Sequence, residues 1–544
     1  MQPAEENPTP SPANLDPRPA SAFARLLAWC IPALILGGLL RFWMIQGWET
    51  GLYYGPDSQT YWAPIYRAER GDRFQNSEKR PWLYSRLMRA TLLPGVAPAR
   101  SAMLFQHLVG WLLVLPLADL LSKLTPRWRW WIIPATVVFA CHPQLLFWEH
   151  VLIADSLFTA LTLLACWAFL RFWLQPRHWP WLAASLALAF LSMATRPVGR
   201  ALWLGMGGLL LALPGTGWRR RLAFSGAVFG LSLPAGKATA VNQGDTLFFT
   251  SVFPLLVLDR PPHLDVKAEF SSAVQSDRAN LWVYISKTQR LRWSWLEADR
   301  STANVGPAYH RIVQNKSERA RFVSQLTRQA LLAHPFEYLG MVGMKLYWLC
   351  GLNEKSSRID PESFRFSQTK FLANSIPKYG PDFPAWLLGT PEATYREGIA
   401  EAAHRATANQ TAQRWFGMWK DRLEKHVRLY RLPDGKDSVP WPASWGPLLL
   451  FGIGTASLVR RETRRTFLPV LALGSAYLIL TLTVGRAVER YRLPAEFLFV
   501  CGICLGIEQL LRIPQRFNPA PTSPAPTSGA ETPRKPVDPS APAP

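Results

Sequence analysis

The sequence predicts an all-α polytopic membrane protein with about ten transmembrane helices and a mostly helical extracytoplasmic domain. Three observations carry this expectation. Apolar stretches near the ~20 residues needed to cross a bilayer recur along the chain. Basic residues crowd into every second short loop between them. Many of the 25 tryptophans stand where an apolar stretch meets a charged one, the place an amphipathic ring takes at headgroup level.

In chain order, the acidic, Pro- and Ala-rich residues 1–22 lack the basic start of a cleavable signal peptide and read as a disordered tail. The expected spans are 23–45, 99–122, 130–146, 151–173, 179–195, 200–215 and 221–237, then 443–459, 466–484 and 493–511. Segments 246–258 and 339–352 are apolar but short for a span, and are expected as interfacial or core pieces of the long loop. Residues 513–544 are Pro-rich and have no composition for a core.

Charge orients the spans. With the N-terminus cytoplasmic, the inner short loops hold Lys123, Arg127, Arg129, Arg171, Arg177, Arg219, Arg220, Arg221, Arg460, Arg461, Arg464 and Arg465. The outer short loops hold only Arg196, Arg200, Arg486, Arg490 and Arg492. Twelve against five follows the positive-inside bias and puts both tails in the cytoplasm. Loops 46–98 and 238–442 then lie outside. The second is long enough to bury a core of its own, and its stretch "RFVSQLTRQALLAHPFEYLGMVGMKLYWL" has helical periodicity.

The net charge of +23 is accounted for by topology and contact with anionic lipid, so nucleic acid is not an expected partner. Six scattered cysteines form no disulfide framework and no zinc spacing. Cys501 and Cys504 have CxxC spacing inside an apolar helix and read as packing residues. There is no phosphate-binding loop, hence no sign of a soluble nucleotide on the inner side.

Chemistry-bearing residues gather in the outer loops. The first, 46–98, contains "YYGPDSQTYW" and "NSEKRPWLY". It carries Asp57, Glu78, Lys79 and Arg80 among aromatics, as in a loop lying along the membrane where solvation is scarce. Asp57 also suits a helix N-cap, and Glu78–Lys79 a solvated surface pair. The next outer turn, "HPQLLFWEHVLIADSLF", has Glu149 in the turn and Asp155 at the start of a helix. An acid there needs a cavity or a partner, although the helix dipole also favours it. Arg196 and Arg200 in "ATRPVGRALW", and Arg486, Arg490 and Arg492 in "VGRAVERYRLP", break the positive-inside trend. They either snorkel to headgroups or bind phosphate near the outer surface, for which the guanidinium fork is suited.

These motifs resemble membrane-embedded glycosyltransferases of the GT-C type, especially the bacterial lipid A aminoarabinose transferases and relatives of the protein mannosyltransferases. "GPDSQTYW" and "SEKRPWLY" look like the two parts of that family's first outer loop. "LIADSLFTALTLLACW" is similar to its acid-led later helix, "LALAFLSMATRPVGRALW" to its basic helix end, and "ERYRLPAEFLFV" to the start of its last helix. The likeness covers about 57–212 and 485–511; Arg80-Pro81 stands where the family has a double proline.

The resemblance implies an inverting transfer of a sugar from a polyprenyl-phosphate donor to an extracytoplasmic acceptor: a glycolipid, a polysaccharide or a protein. It implies Asp57 as general base, and Glu78 and Asp155 as groups that orient the acceptor or bind a divalent cation, the only cofactor in view. Lys79, Arg196 and Arg490 would bind the phosphate. The resemblance also implies a multi-pass protein of the bacterial inner membrane, in contact with lipid. Two other classes stay open: a lipid-linked sugar transporter or flippase, and a non-catalytic envelope assembly protein.

Overall fold

A computed structural model describes residues 19–48, 55–75, 80–126, 129–238, 361–389, 410–426, 441–484 and 493–517, with single helical positions between 325 and 343 and at 392. The regular elements are helical throughout. Helix α1 (Pro19–Gly47) leads into two short helices, α2 (Gly55–Glu69) and α3 (Trp82–Ala90). Then α4 (Pro98–Leu112) and α5 (Val114–Leu124) run on as one apolar rod of 27 residues. After them come α6 (Ile132–Ala140), α7 (Pro143–His150), α8 (Asp155–Leu174), α9 (Trp179–Thr195), α10 (Arg200–Leu211) and α11 (Trp218–Ala238).

Three of these, α1, the α4–α5 rod and α8, are long and apolar enough to cross a membrane; α6 with α7 makes a fourth if the bent pair is one span. Several long apolar helices mark a multi-pass membrane protein. Their burial sorts them: 78% of the α8 apolar window is inside the protein against 22% for α1, so α8 is central and α1 peripheral. Phe23, Leu27, Ile31, Ile35, Leu39 and Phe42 form an exposed row along α1, spaced three or four residues apart. A continuous stripe of this kind faces lipid rather than water.

The α6–α7 pair departs from the sequence expectation. A span was expected at 130–146 and an outer turn at 146–150. Instead the helix breaks at Cys141–His142, bends by 42° and continues to His150. Pro143 causes the break: it has no N–H to donate, and it holds His142 extended at φ −63, ψ 119. Glu149 therefore lies in the last turn of a helix, and the turn is 151–154.

Later in the chain come α12 (Pro361–Tyr379), α13 (Asp382–Leu388), α14 (Gln410–His426), α15 (Trp441–Ala456), α16 (Arg461–Val484) and α17 (Glu496–Phe517). Helices α15 and α17 touch backbone to backbone. A Cβ on Gly506 would come within 1.9 Å of the Leu450 carbonyl oxygen, so the Gly502–Gly506 spacing is what admits the neighbour. Cys501 and Cys504 of α17 are buried and unbridged, in keeping with packing.

Two pieces of the long 238–442 segment dock on earlier helices. Gln59 of α2 donates to the Phe371 carbonyl (3.3 Å) and the Ser375 hydroxyl (2.9 Å) of α12. Tyr66 meets Phe383 of α13 edge-on at 5.2 Å. Helix α14 lies on the end of α1, where Trp43 stacks on Trp415 at 6.0 Å and Gln413 donates to the Gly47 carbonyl at 2.8 Å. The short link between α8 and α9 makes them antiparallel neighbours, tied by Ser185 Oγ donating to the Ala165 carbonyl at 3.0 Å. The start of α8, the end of α9 and the α2–α3 loop thus share one end of the bundle.

Candidate active site

Asp57 stands two residues inside α2, in its first turn, where a carboxylate is favoured by the exposed N–H groups. Its Oδ1 is ion-paired with Arg80 Nη2. Arg80 comes from the residue pair just before α3 and also donates through Nε to Thr60 Oγ1 at 2.9 Å. Thr60 in turn donates to the Asp57 carbonyl at 2.7 Å. The guanidinium lies 5.2 Å from the centre of the Tyr61 ring, within cation–π range. One arginine thus closes the loop on itself, holding the start of α2 against the start of α3. Both side chains remain partly open, at 20% for Asp57 and 25% for Arg80, so this carboxylate is within reach of a bound molecule.

Asp155 is the first residue of α8, as its placement at a helix start implied, and is almost wholly buried. Its carboxylate is ion-paired with Arg196, which caps the end of α9. Helix α3 connects the two acid–arginine pairs. Trp82, two residues after Arg80, packs on Phe190 with ring centres 6.5 Å apart. Phe190 precedes Arg196 by roughly 9 Å of helix rise.

Behind the loop lies a buried polar array. Arg41 of α1 pairs with Glu149 Oε1 at 2.6 Å and donates to the Ala140 carbonyl at 2.9 Å. Glu149 Oε2 is 3.0 Å from His107 Nδ1, His107 Nε2 is 3.0 Å from His150 Nδ1, and His150 Nε2 is 2.7 Å from the Trp48 carbonyl. Gln106 adds a second strand of bonds, donating to the Glu149 and Val151 carbonyls at 2.8 and 3.0 Å. Gln106 accepts from Tyr84 of α3 at 2.8 Å. Burial pushes the Tyr84 phenol well above its ordinary range, so it stays protonated and keeps donating. Gly110 leaves room for the array: a Cβ there would sit 1.9 Å from Glu149 Oε1.

Of the residues singled out in the sequence, Asp57, Glu149, Asp155 and Arg196 are brought to this end of the bundle. Glu78, Lys79 and Arg490 lie outside the described residues. Among the described residues no three His, Cys, Asp or Glu side chains converge as a cation site, and Asp57 and Asp155 each face a guanidinium rather than another acid. Those two carboxylates fit a cation poorly as they stand.

Sequence reasoning assigns Arg80 no role of its own beyond a third adjacent charge, and it misses Arg41, His107 and His150 altogether. A signal existed for the last three: each is a polar residue inside or beside an apolar stretch, where it needs a partner. No protein-family model matches the chain, and no curated protein matches it.

Proposed function

We propose that the chain is a GT-C-type glycosyltransferase of the bacterial inner membrane, with about ten spans, both tails cytoplasmic and the α2–α3 end outward. It would take a sugar from a polyprenyl-phosphate carrier and pass it to an extracytoplasmic glycolipid, polysaccharide or protein. The observation that carries the reading is the partly open Asp57 carboxylate, fixed by Arg80 in the first turn of a loop helix. The second acid–arginine pair, Asp155–Arg196, stands at the same end of the bundle.

The chemistry asked of these residues is small. The acceptor oxygen attacks the anomeric carbon as the bond to the carrier phosphate breaks, and the electron pair leaves with the phosphate. The acceptor's proton passes to Asp57, whose carboxylate Arg80 holds in place. Arg80 is thus a positioning residue. Lys79, its chain neighbour, together with Arg196 and Arg490, would stabilise the charge that grows on the phosphate. Glu78 and Asp155 would orient the acceptor.

The test compares envelope glycolipids and glycoproteins by mass spectrometry in cells with the gene, without it, and with Asp57→Asn. One glycan should vanish in both the deletion and the variant, with the variant present in the membrane at the normal level. A glycan restored by Asp57→Asn removes the base role, and an unchanged glycan profile in the deletion removes the transferase reading.

A further inference from the structure

The array behind the loop has a hydrogen count that can be worked out from its contacts. The Trp48 carbonyl only accepts, so His150 Nε2 carries a hydrogen. The 3.0 Å contact between His150 Nδ1 and His107 Nε2 needs one more, on either nitrogen. The 3.0 Å contact between His107 Nδ1 and Glu149 Oε2 needs a third. Two neutral imidazoles supply two hydrogens and a carboxylate supplies none. With all three contacts made, the group holds one proton beyond that sum.

Where the group yields when that proton leaves also follows. The Glu149 carboxylate is ion-paired with Arg41 at 2.6 Å. The strongest of the three bonds is the one to that charge, so His107 Nδ1 keeps its hydrogen. His107 Nε2 is then bare and accepts the hydrogen bond that His150 Nδ1–H donates. His150 Nε2 is left bare, facing the Trp48 carbonyl, and two lone pairs oppose each other. The defect arrives at the end of α1, where the chain leaves for Asp57.

We infer that Glu149, His107 and His150 share one exchangeable proton, and that this proton anchors the end of α1 from which the Asp57 loop departs. The anchor is a pH-sensitive positioning device. The other charged or titratable groups on elements packed around it are Arg41 on α1, Cys141 at the end of α6, and Tyr84 reached through Gln106. The same elements also carry Arg25 and Cys30 on α1, Arg100 on α4, Asp155, Cys166 and Arg171 on α8, with Asp155 already paired with Arg196, and Arg414 on α14. The count does not depend on the transferase reading, and its test measures no activity.

Glu149→Gln is the informative variant. Its amide oxygen can still accept from Arg41, while its NH2 donates to a neutral His107, so all contacts are made without the added proton. Hydrogen–deuterium exchange of the whole chain in lipid nanodiscs, corrected for intrinsic rates, is followed over Met44–Trp48 across about pH 4 to 8, which takes in the ordinary histidine range and the lower values that burial favours. The wild type should show a several-fold rise in exchange as the proton leaves, and Glu149→Gln a flat profile. If Glu149→Gln does not insert, His150→Phe takes its place and should show fast exchange at every pH. A flat wild-type profile, or a step that survives in the variant, overturns the inference.

Discussion

At the end of the bundle away from the loop, Asp119 of α5 gathers three donors. Arg171 binds it through Nε at 2.9 Å and Nη2 at 2.6 Å, Trp167 Nε1 donates at 2.7 Å, and Lys123 reaches it from one turn on. At the loop end, Glu149 pairs with Arg41 and then hands on to two imidazoles in a row. Both are carboxylates with arginine partners on another helix. They differ in access: Arg171 is 34% exposed, while Arg41 and Glu149 are 5% and 4%. The first is a clamp that water can still solvate. The second is sealed, and every member must find its partner inside. A clamp stabilises a helix pair; a sealed relay of titratable groups that ends on the Trp48 carbonyl ties the protonation of the core to the anchoring of the end of α1.

Breaking the sealed pair should produce the largest effect. Arg41→Met leaves Glu149 buried without its guanidinium, at a cost of about 3–5 kcal/mol. Thermal loss of monodisperse protein in detergent measures it. The double variant with Glu149→Gln should recover much of that loss, because the stranded charge is gone. Equal damage in single and double variants would mean that packing, not charge, sets the cost.

A smaller effect is expected from crowding the relay rather than cutting it. Gly110→Ala puts a methyl where Glu149 Oε1 stands and should cost about 1–3 kcal/mol. The same thermal assay serves, and exchange over Met44–Trp48 should rise along with the loss of stability. If Gly110→Ala destabilises without touching that segment, the relay does not communicate with the end of α1.

The two ends also differ in how far the sequence betrayed them. The helices were legible because long apolar runs report themselves: α9 occupies 179–195 as the pattern implied. The acids at helix starts were legible too, since Asp57 and Asp155 are placed by local signals, a preceding Gly-Pro and an apolar run. The partners were not. Arg80 is 23 residues from Asp57 and Arg196 is 41 from Asp155; Arg41 and Glu149 are 108 apart. Such pairs are chosen by how helices pack, which leaves no periodic trace. The α6–α7 bend was missed for another reason. Pro143 was visible, but apolar character continues through it, and hydropathy alone places one span where the backbone turns by 42°.

The smallest effect should come from the solvated clamp, and it bears most directly on the contrast. Asp119→Asn removes the charge and keeps one side-chain oxygen, which Trp167 and Arg171 then share. Arg171 retains water and lies 5.8 Å from the rings of both Trp167 and Trp181, so it has somewhere to go. The cost should be about 1–2 kcal/mol, below that of the sealed pair, because Arg171 stays partly solvated although Asp119 is only 11% exposed. Exchange over Met44–Trp48 should keep its wild-type pH profile, because nothing at this end feeds the relay. A loss as large as that of Arg41→Met would place the clamp among the sealed pairs, and access would no longer separate the two ends. A changed profile at Met44–Trp48 would mean that the α4–α5 rod transmits strain along its whole length, making Asp119 part of the loop's support.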